Sequence, residues 1–112
     1  MLLNYKIKNE INPDINNEKI GNIHPGEILL EDFLKPLGIT PYKLSKDTFM
    51  PQTRVSEIIK GERAISCNTA LKLAKYFNTS PDLWIGLQKH YDLENELQTI
   101  QDELEKIKPC LV

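Results

Sequence analysis

The chain has 112 residues, 40% of them apolar and 27% charged, with a formal net charge of −2. That length accommodates one domain with tails and excludes two independent cores, and the apolar share excludes general disorder. The slight acidity excludes a bulk electrostatic coat for nucleic acid and leaves open a local basic face.

Residues 1–22 are rich in Asn and Ile without a sustained period. They carry the turn signals Asn12-Pro13-Asp14 and Gly21-Asn22, so an N-terminal extension outside the core is expected there. Residues 23–91 are expected to form the folded domain, and residues 92–112 an acidic C-terminal helix. From His24-Pro25-Gly26-Glu27 onward, Ile28, Leu29, Phe33, Leu34 and Leu37 recur at helical spacing, and Lys35-Pro36 with Gly38 ends that first helix.

Thr40 is a natural N-cap and Pro41 suits a first helical position, which predicts a second helix to about Thr48. It buries Leu44, with Tyr42 a second inward candidate, and presents Lys43 and Lys46. Pro51 opens a third helix through Lys60 with Val55, Ile58 and Ile59 inward and Gly61 as left-handed terminator. Ser66 caps a fourth helix with Ala70, Leu71, Leu73, Ala74 and Phe77 inward, stopped by Asn78. Ser80-Pro81-Asp82 caps a fifth that bears Leu83, Trp84 and Leu87, with Trp84 a core anchor. Beyond Tyr91-Asp92, the residues Leu93, Leu97, Ile100, Leu104 and Ile107 follow at spacings of four, three, four and three, a short heptad seam on an acidic helix. That seam can cap the chain's own core, pair with a second copy or hold a basic partner, and the intrachain role is the first expectation because two heptads rarely make an independent coiled coil.

Cys67 and Cys110 lack any CxxC spacing, so neither a disulfide framework nor a zinc set is expected. No stretch has signal-peptide or transmembrane character, which places the protein in the cytoplasm, off the membrane. His24 with Glu27, and His90 with the acids after it, lack a third ligand or a nucleophile; a helix-start role for His24 and a surface role for His90 are expected, and no cofactor or metal is implied.

Charge is uneven along the chain. Residues 40–63 and 64–91 each carry +2, residues 23–39 carry −2 and residues 92–112 carry −4. Two short helices joined by a tight turn, the second with a polar first turn, match the geometry of a helix-turn-helix, in which that second helix enters the major groove of DNA. Gln52 and Thr53 stand where base edges are reached: Gln pairs with adenine N6 and N7, and the Thr methyl meets a thymine methyl. Arg54, Lys43, Lys46, Lys60 and Arg63 suit phosphates, as do the amides capped at Thr40.

Residues 24–93 resemble the HigA family of toxin-antitoxin antidotes within the XRE/Cro class of phage-repressor-like helix-turn-helix proteins. The resemblance rests on His24-Pro25-Gly26-Glu27-Ile28-Leu29, Thr40-Pro41-Tyr42-Lys43-Leu44-Ser45-Lys46, Arg54 through Ser66, Thr69-Ala70-Leu71-Lys72-Leu73-Ala74 and Thr79-Ser80-Pro81-Asp82-Leu83-Trp84, in collinear order. It implies an all-α, five-helix, lambda-repressor-like DNA-binding domain that forms a homodimer, binds operator DNA in its own promoter and neutralises a RelE/HigB-like, mRNA-cleaving toxin. By position it places Gln52, Thr53, Ser56 and Glu57 at the groove and Arg54 and Thr40 near the backbone. Two residues depart from the pattern: Pro41 replaces a polar residue, and Phe49 replaces the usual turn glycine. The sequence thus predicts a repressor and antitoxin without catalytic activity. A protein-interaction module that has lost DNA binding, or a repressor-like regulator without a toxin, stands as the alternative.

Overall fold

The computed structural model describes residues 22–110, and the expectation for the N-terminal extension lies, Asn22 apart, outside the described residues. Five helices, with no strand among the described residues, follow in the expected order: α1 over 25–37, α2 Pro41–Thr48, α3 Gln52–Ile59, α4 Cys67–Phe77 and α5 Pro81–Lys106. The all-α class and five-helix count are therefore those the sequence predicts.

Local chemistry sets the boundaries. The side chains of Thr40, Ser66 and Ser80 accept the backbone N–H of Lys43, Thr69 and Leu83, which satisfies amides that have no partner inside the helix. Gly38, Phe49 and Asn78 end α1, α2 and α4 in the left-handed region, and the expected terminator Gly61, at φ 79° just past the Lys60 cap, ends α3 there. Within α1 the winding widens to π over Leu29–Leu34, just ahead of Pro36, whose ring would crowd the carbonyl one α-turn back.

The core is one cluster. Leu29, Leu34, Leu44, Val55, Ile58, Leu73 and Trp84 are all but sealed from solvent. Trp84 packs at 4.8 Å from the Phe33 ring, which itself lies 5.0 Å from Phe77, and its indole Nε1 donates to Thr79 Oγ1 at 2.9 Å. The expected anchor role of Trp84 is thus met, with its one polar atom satisfied.

Four inward assignments are corrected. Tyr42 is exposed, as are Leu37 and Leu71. Leu37 follows the π segment, whose extra residue per turn rotates it off the inward stripe. The buried arc of α4 is Thr69, Ala70, Leu73 and Ala74, and the helical turn per residue carries Leu71 past the edge of that arc. The fourth correction concerns the tail. No break separates it from the fifth helix: α5 runs through Tyr91-Asp92, where Gln88 Nε2 donates to Asp92 Oδ1 at 3.0 Å, and its one interior departure is Ile100 at φ −112°, ψ 20°. The last buried residues of α5 are Leu87 and Gln88; the half-buried Tyr91 and then Asn95 still meet the N-terminal segment at His24 and Asn22, while Leu93, Leu97, Leu104 and Ile107 are exposed. The intrachain role expected first for the seam does not hold among the described residues.

Candidate nucleic-acid interface

The α2–α3 unit is joined by Phe49-Met50-Pro51. Phe49 takes φ 57°, ψ 39°, the left-handed turn conformation that glycine ordinarily serves, while its ring is 86% exposed. The turn is fastened on both sides: the N–H of the buried Met50 donates to the Ser45 carbonyl, and Lys72 Nζ from α4 donates to the Phe49 carbonyl at 3.0 Å. Pro51 precedes α3 in extended conformation, so the first turn of α3 starts abruptly with Gln52 and Thr53 exposed.

Pro41 and Tyr42 of α2, with Gln52, Thr53, Ser56, Glu57, Lys60 and Glu62, line an open depression of about 420 Å³. Five sequence-predicted residues meet there: Gln52, Thr53, Ser56, Glu57 and Lys60. The remaining five do not line it. Thr40 caps α2 with its hydroxyl accepting the Lys43 N–H at 3.0 Å, so that amide is already satisfied. Lys46 lies 5.8 Å from the Tyr42 ring centroid. Arg54 is half-buried and donates from Nη1 to Asn68 Oδ1 of α4 at 2.8 Å, while Arg63 donates from Nε to Glu57 Oε1 at 2.7 Å.

Lys43 sits in a network across α2 and α4. Its ammonium lies 3.0 Å from Asp47 Oδ2, which also accepts the Tyr76 hydroxyl at 2.6 Å. The Tyr76 hydrogen bond and then the Lys43 hydrogen bond hold the Asp47 carboxyl below its ordinary range, and Asp47 in turn raises both Lys43 and Tyr76. All three stay in their neutral-pH forms, so the contact joins α2 to α4 without a titration near pH 7. Lys43 and Arg54 are thus both engaged by contacts that involve α4, and the exposed Lys43–Asp47 ion pair weakens with salt.

Sequence reasoning missed the supports. Asn68 holds Arg54, and Gln88 accepts the buried Ile65 N–H at 2.8 Å, which fixes the loop after α3 to α5. Gln88 is legible in retrospect as a polar residue on the stripe shared with Trp84 and Leu87. Asn68 has no such signal. His24 fills the expected helix-start role: its Nδ1 accepts the Gly26 N–H at 2.8 Å and its ring meets Tyr91 edge-on at 4.8 Å.

An arrangement of this kind offers an exposed helical first turn with amide, hydroxyl and carboxylate groups in a recess, and cations at its margins. That inventory suits the mixed donor and acceptor edges of base pairs flanked by phosphates. Among the described residues no helix is long and apolar enough to cross a membrane.

Comparison with known proteins points the same way. The helix-turn-helix family model matches residues 30–84. Virulence-associated protein I of Dichelobacter nodosus is 42% identical over 72 residues, covering 64% of this chain and 67% of that protein. Antitoxin HigA-1 of Vibrio cholerae is 32% identical over 87 residues, covering 78% of this chain and 82% of its own. The solved structure of Pseudomonas aeruginosa antitoxin HigA with the higBA promoter superposes with a TM-score of 0.77 at 34% identity, over 81% of this chain and 100% of that one.

Proposed function

The chain belongs to the HigA family of helix-turn-helix antitoxins, a family of DNA-binding regulators and not a class of enzymes, and on that premise we propose that it represses its own promoter as a homodimer and neutralises a RelE-like toxin encoded beside it. The observation that carries the DNA half is the exposed first turn of α3 in the recess beside α2, in a chain similar to an antitoxin solved with its promoter. Gln52 and Thr53 read bases together with Ser56 and Glu57; Thr40, Lys43, Lys46, Arg54, Lys60 and Arg63 hold phosphates. Two such helices related by a dyad engage half-sites about 34 Å apart, one turn of the duplex.

The protein-contact half is supported by the exposed seam of Leu93, Leu97, Leu104 and Ile107, with the half-buried Ile100 between them. It serves a second copy or the toxin, and its acidic flanks complement a basic partner. The protein acts where that promoter is, in the cytoplasm.

Alanine variants test the division of labour. Gln52→Ala and Thr53→Ala are expected to reduce the preference for operator over scrambled duplex, whereas Arg54→Ala weakens both duplexes alike and lowers the salt slope by about one. The reverse ranking overturns the assignment of the face. For the toxin half, co-expression with the adjacent reading frame is expected to relieve growth arrest, and a harmless neighbour contradicts it.

A further inference from the structure

Glu57 puts a carboxylate, with Glu62 a second, into the recess proposed to face DNA, where Lys60 is the one cation of the lining. It lies one turn along α3 from Thr53, on the wall shared by Gln52, Thr53, Ser56 and Lys60, and a carboxylate there repels phosphate. It is not loose, however. Arg63, from beyond the C-terminus of α3, donates its Nε to Glu57 Oε1 at 2.7 Å, and among the described residues Oε2 takes no hydrogen bond. One oxygen is thus anchored, half the charge problem is answered by the guanidinium, and the second oxygen stays available as an acceptor.

An ionised carboxylate has acceptors and no donors, so it pairs only with a base edge that donates. In the major groove, guanine shows O6 and N7 and thymine shows O4, all acceptors, and these repel it. Adenine donates from N6 but carries the N7 lone pairs beside it. Cytosine donates from N4 with no neighbouring acceptor on its own edge. We infer that Glu57 selects a cytosine in each half-site, with Arg63 as the positioning residue that steers its free oxygen. The inference rests on the operator reading above and adds a base identity to it.

Arg63 has a double part in this. Its Nε is committed to Glu57, while the Nη groups remain to meet the phosphate on the same side, so the pair moves onto DNA as one unit.

Selection of binding sites from a randomised duplex pool tests the assignment, using the full chain, Glu57→Ala, Glu57→Gln and Arg63→Ala, each checked for unchanged helical circular dichroism. The wild type is expected to enrich C·G about tenfold over other pairs at one position per half-site. Glu57→Ala loses that enrichment and keeps the others, and Glu57→Gln shifts it toward A·T. Arg63→Ala weakens enrichment at that same position, which loss of a plain phosphate contact does not do. Enrichment of guanine or thymine there by the wild type overturns the inference, as does a Glu57→Ala profile identical to wild type. If the wild type enriches no sequence at all, the operator reading itself fails, an outcome distinct from either.

Discussion

Gly26 lies against the carbonyl of Ile58 so closely that a Cβ at position 26 would stand 1.7 Å from its oxygen. The contact seats the start of α1 on the last turn of α3, the helix that carries Gln52 and Thr53 at its other end. Backbone on backbone leaves nothing flexible to give way, so Gly26→Ala must move one helix. A loss of about 3 kcal/mol is expected in urea unfolding, with operator affinity falling in step. An unchanged midpoint contradicts the seating role.

Phe49 gives the opposite sign. An L-residue in the left-handed region costs about 1 kcal/mol relative to glycine, and this ring is too exposed to recover that by burial. Phe49→Gly is expected to raise unfolding stability by about 1 kcal/mol, because the Lys72 contact is to the backbone carbonyl and survives the change. A variant less stable than wild type shows that the ring makes contacts which its exposure conceals.

Burial pushes the His24 imidazole below its ordinary pKa, more than Asp92 and the backbone hydrogen bond at Arg63 draw it back. The unfolded chain therefore takes up the proton first as pH falls. Stability from this group is full above the unfolded value of about 6.5 and is lost as pH drops through it toward the lower folded value. The same proton blocks the Nδ1 acceptor of the Gly26 amide. Urea midpoints measured between pH 8 and pH 5 are expected to fall in wild type and to flatten in His24→Asn, whose amide oxygen caps without titrating. Equal slopes in the two proteins assign the pH dependence elsewhere.

Among the described residues the seam leucines are exposed, so replacing them should leave the fold intact. Leu97→Lys with Leu104→Lys is expected to change unfolding stability by less than about 0.5 kcal/mol. In sedimentation it converts a dimer to a monomer, or, if the toxin is the occupant, it abolishes toxin capture. Loss of neither activity removes the seam from both roles.

The helices were readable because their ends are chemically marked: Thr40, Ser66 and Ser80 cap as their side chains require, and Gly38 and Asn78 terminate in the left-handed region. The exposure of the first turn of α3 was readable too, since Pro51 delivers Gln52 and Thr53 polar and unburied. What was hidden depends on where helices lie in space. Leu71 reads as part of a stripe by composition, yet only the packing of α4 on α5 decides which side of Ala70 is inward. The seam reads as buried because it is apolar, and nothing within 81–106 marks where α5 leaves the body. Glu57, Arg63, Arg54 and Asn68 were visible as charges or polar groups, but their pairing joins residues six and fourteen positions apart through the geometry of the α3–α4 loop.

Repression by this chain requires sequence-specific binding of DNA by the α3 face. That binding is tested most directly by titrating the full chain into two labelled duplexes of equal composition, the DNA upstream of its own reading frame and a scrambled version, at low and at physiological salt. The upstream duplex is expected to bind at least about a thousandfold more tightly at physiological salt, with both affinities falling as salt rises. Equal affinity for the two duplexes contradicts it.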